Sequence, residues 1–102
     1  MPVLAIFTSN AITKKQYDAL RPVVKWETEF PLGACVHTCA FDEKNGMHVV
    51  DVWASEEELS RFFETRLLPA MKKLGITPPQ AKILPLHNAN VFAAADRFRA
   101  KK

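Results

Sequence analysis

The sequence predicts a single α+β domain in the order βαββαβ: a four-stranded antiparallel sheet with two helices on one face. Three observations predict it. Short runs rich in β-branched and aromatic residues alternate with two segments whose apolar residues recur every three or four positions. An Asn-Gly dipeptide, Asn45-Gly46, separates the two central runs, and it is the strongest short-range hairpin signal because both residues accept positive φ cheaply. Finally, 102 residues that are 48% hydrophobic and 25% charged suffice for one core and leave no room for a second.

Val3 to Thr8 (VLAIFT) is a first strand, its length suiting a buried strand rather than a helix. Thr13 followed three residues later by Gln16 has capping-box spacing, and Tyr17, Leu20 and Val24 continue a first helix, which Pro22 is expected to stop or kink. Glu27 to Leu32 is a loop. Ala34 to Phe41 (ACVHTCAF) and Met47 to Trp53 (MHVVDVW) form the central hairpin. Ser55 caps a second helix, with Glu58 completing a capping box and Glu56 and Glu57 at the positive end of the helix dipole. Leu59, Phe62, Phe63, Leu67, Ala70, Met71 and Leu74 form its apolar stripe; Pro69 should kink it, and Gly75 suits the left-handed residue past its end. Ala81 to His87 (AKILPLH) is the last strand, placed at a sheet edge because Pro85 has no N–H for a ladder bond. Two right-handed crossovers around the hairpin make this the ferredoxin-like arrangement.

The domain is read as residues 1–90, followed by a basic C-terminal tail, 91–102. Fourteen basic residues oppose eleven acidic ones, but Arg97, Arg99, Lys101 and Lys102, with Asp96 as the sole acid, stand in the last seven positions, so the body is neutral. A nucleic-acid binder carries its basic footprint on a folded face, so nucleic acid is not an expected partner. Val91 to Phe98 suits a short helix, with Phe92 and Phe98 packing on the body or across a dimer and disorder beyond Arg99. No apolar run approaches the ~20 residues of a membrane span, and Val3 to Phe7 lacks the flank and length of a signal peptide, so a cytoplasmic protein without membrane attachment is expected. Cys35 and Cys39 stand about 13 Å apart on one strand, too far for a disulfide and not in CxxC spacing.

A sheet with helices on one side leaves its other face open. On the third strand Val50 and Val52 are assigned beneath the helices, placing Val49, Asp51 and Trp53 on the free face, which is too apolar for water and implies a dimer interface or a ligand cavity. Two hairpin registers fit. A two-residue Asn45-Gly46 loop sets Thr38 and Ala40 beside Trp53 and Asp51. A three-residue loop with Gly46 left-handed pairs Glu43 with Met47, sets His37 opposite Trp53 and Cys39 opposite Asp51, and gathers both with Phe41 on the free face. The second is preferred because it keeps the polar and aromatic residues together.

The stretch Val49 to Leu74, VVDVWASEEELSRFF followed by RLLPAM, resembles the dimeric α+β barrel superfamily that includes the antibiotic biosynthesis monooxygenases, whose members carry a strand ending in Trp, then Ser-Glu, then an amphipathic helix, as Val52 to Glu56 does here. The short second strand with His37 and the terminal Leu86-His87-Asn88 look like an uncharacterised branch. The resemblance spans most of residues 3–88. It implies a homodimer whose sheets face each other as a closed barrel, with a cavity between each sheet and its helices. Haem-degrading members use a Trp at the position of Trp53, an Asn on the first strand and a His ligand on the second helix. Only Trp53 is matched, since Thr8 stands at the Asn position and residues 56–74 hold no His. No cofactor is therefore expected.

His37 oriented by Asp51 is the candidate catalytic pair, a carboxylate fixing the tautomer of a general base. Against it stands a structural reading in which Asp51 merely pairs across a dimer or with the backbone. Trp53, Cys39, Phe41 and His87 are candidate ligand-binding residues, His87 by reaching the pocket mouth or the other subunit. His48 is expected to be exposed beside the turn. The three histidines and Asp51 lack metal-ligand spacing, so no metal is expected. Two functions remain: a cofactor-independent oxygenase acting on an aromatic or hydrophobic metabolite, or a non-catalytic ligand-binding or structural dimeric barrel.

Overall fold

The computed structural model describes residues 1–100. Its elements are β1 (Val3–Ser9), α1 (Lys14–Val24), β2 (Ala34–Phe41), β3 (Met47–Trp53), α2 (Glu56–Phe62), α3 (Leu68–Leu74) and β4 (Gln80–Pro85), with a π-helical turn Phe63–Leu67 joining α2 to α3 and a 3-10 helix at Ala93–Phe98. The strands pair antiparallel in the order β2-β3-β1-β4, and both helical layers pack on one face. The βαββαβ reading therefore holds. Pro85 ends β4 at the sheet edge, so Leu86 and His87 fall outside the strand. Lys101 and Lys102, two of the four basic residues of the tail and within the stretch where disorder is expected, lie outside the described residues.

Local signals place most boundaries. Thr13 and Gln16 make the reciprocal capping box: Gln16 N–H donates to Thr13 Oγ1 at 3.1 Å, and Thr13 N–H donates to Gln16 Oε1 at 3.0 Å. At Ser55 only half of it forms. Glu58 N–H donates to Ser55 Oγ, while the Glu58 carboxylate takes the Ser55 hydroxyl rather than its backbone N–H. Pro22 does not end α1, which runs on to Val24 and closes at a left-handed Lys25, φ 64°. So near the C-terminus a proline forfeits a single helical bond. The Arg66 guanidinium then donates to Val24 O and Glu29 O, both at 2.8 Å, pinning the loop after α1 to the second helical layer. Pro69 stands in the first turn of α3. The ladder widens to a π turn just before it, with Leu68 N–H reaching Phe63 O five residues back, a winding often met beside functional sites.

The structure reverses one expectation, which face of the sheet the helices cover. Met47, Val49, Asp51 and Trp53 lie under the helices with Val3 and Ala5, whereas Val50 stands on the outer face, 37% exposed. Both faces carry aliphatic residues, so alternation alone does not choose between them.

The hairpin register also moves by two residues. The three-residue loop is Glu43-Lys44-Asn45, with Asn45 rather than Gly46 left-handed at φ 63°. The Asp42 carboxylate causes this by accepting the N–H groups of Lys44 (2.9 Å) and Gly46 (2.8 Å), closing the turn one residue early. His37 therefore faces Asp51, Cys39 faces Val49 and Phe41 faces Met47. A shift of two preserves side-chain parity, so His37, Cys39, Phe41, Asp51 and Trp53 still share a face, the helix-covered one. His48 is on the exposed side and bonds Asp42 at 2.9 Å.

Candidate functional site

Between the inner sheet face and the helices lies a cavity of about 390 Å³. Its walls are mainly apolar and aromatic, with Phe7 from β1, Leu59 and Phe62 from α2 and Phe63 from the π turn. One wall is polar. Asp51, 7% exposed, receives two donors: His37 Nδ1 lies 2.7 Å from Oδ1, and Trp53 Nε1–H donates to Oδ2 at 3.1 Å. A buried carboxylate needs such partners, and both come from the same sheet. Asp51 is thus paired within its own chain.

The chain of bonds continues beyond the ring. His37 Nε2 lies 2.7 Å from the hydroxyl of Tyr17, one turn into α1. Asp51 offers only acceptors, so in the neutral imidazole Nδ1 carries the proton and Nε2 accepts from the Tyr17 O–H. The order is Tyr17 to His37 to Asp51, with Trp53 holding the far carboxylate oxygen. The Tyr17 ring stacks nearly parallel to His37, while Trp26 meets the imidazole edge-on at 5.5 Å. Trp26 Nε1 is buried with no hydrogen-bond partner among the described residues.

Burial is the main cause holding the Tyr17 hydroxyl well above the ordinary 10.0, with Cys39 and Glu27 adding to it. Burial also pushes the Cys39 thiol up, with the Asp18 and Asp51 charges adding and a hydrogen bond with Tyr17 opposing. Tyr17 therefore stays a proton donor through the neutral range. A folded phenol kept neutral while the unfolded one ionises near 10 means that the unfolded chain loses its proton first as pH rises. Stability present below pH 10 is then lost above it, at up to about 1.4 kcal/mol per pH unit. Urea unfolding followed upward through about pH 10 is expected to show this decline, and Tyr17→Phe to flatten it; parallel curves for the two proteins would contradict the burial of the phenol.

Of the residues expected at a site, His37, Asp51 and Trp53 line the cavity together. Cys39 and Phe41 sit behind Tyr17 on the same sheet face, Phe41 edge-on to its ring at 6.3 Å, without lining the cavity. His87 is exposed beyond β4 and does not reach it. Tyr17, Trp26, Cys35 and Arg99 were not legible as lining residues. Tyr17 reads as one apolar position of α1, and only its polar tip on the inward stripe hints at a partner. Cys35 enters because a register irregularity between Ala34 and Val36 breaks the alternation of β2.

No protein-family model matches the sequence. No curated protein matches it either. Solved structures do share the fold. A candidate antibiotic biosynthesis monooxygenase from Chloroflexus aurantiacus superposes with a TM-score of 0.62 at 17% identity, over 90% of this chain and 100% of its own. The NE2512 protein of unknown function from Nitrosomonas europaea gives 0.65 at 17%, over 91% and 97%. SnoaB, a cofactor-independent oxygenase from Streptomyces nogalater, gives 0.60 at 13%, over 86% and 93%. The chain has the fold of antibiotic biosynthesis monooxygenase-like proteins, as the Val49 to Leu74 resemblance implies.

Proposed function

We propose that this protein is a small-molecule-binding homodimer that oxygenates a phenolic aromatic metabolite without a cofactor. The observation that carries the reading is the hydrogen-bonded series Tyr17, His37, Asp51 and Trp53 along one wall of an otherwise apolar cavity. A flat ring stacks among Phe62, Trp53 and Trp26, and its hydroxyl meets Tyr17. The substrate proton passes to Tyr17 Oη as the Tyr17 proton passes to His37 Nε2, so no free tyrosinate forms, in keeping with the raised Tyr17 value. Asp51 stabilises the imidazolium. The electron-rich phenolate then reduces dioxygen: a ring C–O bond forms, the O–O bond breaks, the ring C–H proton and the relayed proton leave with one oxygen as water, and a quinone remains. Naphthol and one O2 give naphthoquinone and one H2O, so no external reductant is required. The fold shared with a cofactor-independent oxygenase supports this chemistry. The outer sheet face, with Val50 at 37% and Leu84 at 38% exposed, supports a second copy as its cover.

The test is oxygen uptake by the purified protein with naphthol in the presence of a chelator, alongside its mass by light scattering. Equal consumption of O2 and formation of quinone by a dimer is expected. Tight binding of naphthol without uptake favours the non-catalytic binding reading, and absence of binding excludes both.

A further inference from the structure

Resting on the reading that the cavity binds a small molecule, we infer that its ligand is an aromatic acid, held by Arg99 at the cavity edge with its ring directed at Tyr17 and Trp53. The basic residues in excess all belong to the C-terminal tail, and the structure brings that tail back to the body so that Arg99 lines the cavity. The lining therefore holds a buried carboxylate and an exposed guanidinium, the latter paired through Nε with Asp96. Asp51 is its one acidic lining residue and lies deep, with both oxygens already engaged. Arg99 is its one guanidinium and lies at the solvent edge, its side chain 75% exposed. An anionic group is repelled from the Asp51 end and attracted at the other, which fixes the direction of entry as well as the class of ligand.

Arg99 is held ready for this role. Its Nε–H donates to Asp96 Oδ1 at 2.9 Å, which fixes the plane of the guanidinium and leaves both terminal nitrogens for a second carboxylate. Arg66 does not line the cavity, and its Nη2 is committed to the Val24 and Glu29 carbonyls. An acid anchored at Arg99 presents the opposite end of its ring system to Tyr17, so the oxidisable hydroxyl of the proposed substrate stands remote from its carboxylate.

Both tryptophans of the chain line the cavity, so quenching of intrinsic fluorescence reports occupancy directly. The probes are naphthoate and naphthamide, of one shape and different charge. The native protein is expected to bind naphthoate about fivefold more tightly, the upper range for an exposed ion pair, and Arg99→Gln to abolish that preference while naphthamide affinity holds within about twofold. Arg99 is exposed and outside the core, so the variant keeps its fold. Arg99→Glu is expected to turn the preference towards the amide. Naphthamide binding with no preference for naphthoate, or a preference that survives Arg99→Gln, would overturn the acid-anchoring role and leave the cavity reading intact. Failure of both probes to bind the native protein would overturn the cavity reading, and the anchor with it.

Discussion

Alanine in place of Asp51 is expected to lower the unfolding free energy by about 3 kcal/mol, a fall in melting temperature of roughly 10–20 °C for a domain of this size. The cost comes from the groups left behind. Trp53 is 3% exposed, and its indole N–H, a donor only, has Asp51 as its partner. His37 keeps about a third of its side chain in solvent and can turn to water, so the indole carries most of the loss. Asp51→Asn separates this structural task from the chemical one. The amide oxygen still accepts from Trp53, while its NH2 group faces Nδ1 and selects the tautomer with the proton on Nε2. That variant is expected to stay within about 1 kcal/mol of the native protein and to bind naphthol, yet to lose its base, because the Nε2 lone pair is gone. Chemical denaturation of both variants beside oxygen uptake checks the pair. Native stability in Asp51→Ala, or native turnover in Asp51→Asn, would remove the carboxylate from the corresponding role.

The same groups show what the chain makes legible before folding. Helix starts at Thr13 and Ser55 and the stop at Gly75 are local devices, each satisfied by residues within four positions and each standing where its signal lies, while the hairpin forms at its Asn-Gly signal but closes one residue early through Asp42. The face beneath the helices is not local. Leu4 and Ile6 compete with Val3, Ala5 and Phe7 on β1, and Val50 and Val52 compete with Met47 and Val49 on β3, so both sides of the sheet are apolar enough to be buried. What decides is that the polar residues on one side satisfy each other once covered: Asp51 has His37 and Trp53, and His37 has Tyr17. The grouping of His37, Asp51 and Trp53 is the same whichever face is covered and in both the preferred and the observed register, since inverting the face or sliding the register by two leaves parity untouched. Tyr17 and Arg99 arrive from a helix and from the tail, and neither position follows from strand alternation.

Tyr17→Phe is expected to lower turnover by about 100-fold while leaving stability at neutral pH and naphthol affinity nearly unchanged. Tyr17 lines the cavity and its hydroxyl lies 2.7 Å from His37 Nε2, so in the proposed relay the substrate proton reaches the imidazole through it. Phenylalanine keeps the ring against Trp26, His37 and Phe41 and removes only the bridge. If the proposed relay moves two protons together, the native protein is expected to show a solvent deuterium isotope effect on turnover that the variant's residual reaction lacks. His37→Gln is expected to cost a similar factor, and the double variant no more than either alone, since the two residues act as one path. The opposite outcome is equally informative. If Tyr17 instead caps Nε2 and shields it from the ligand, its removal exposes the base and Tyr17→Phe turns over faster than the native protein; such a result would discard the relay while keeping His37 and Asp51 as the pair that takes the proton.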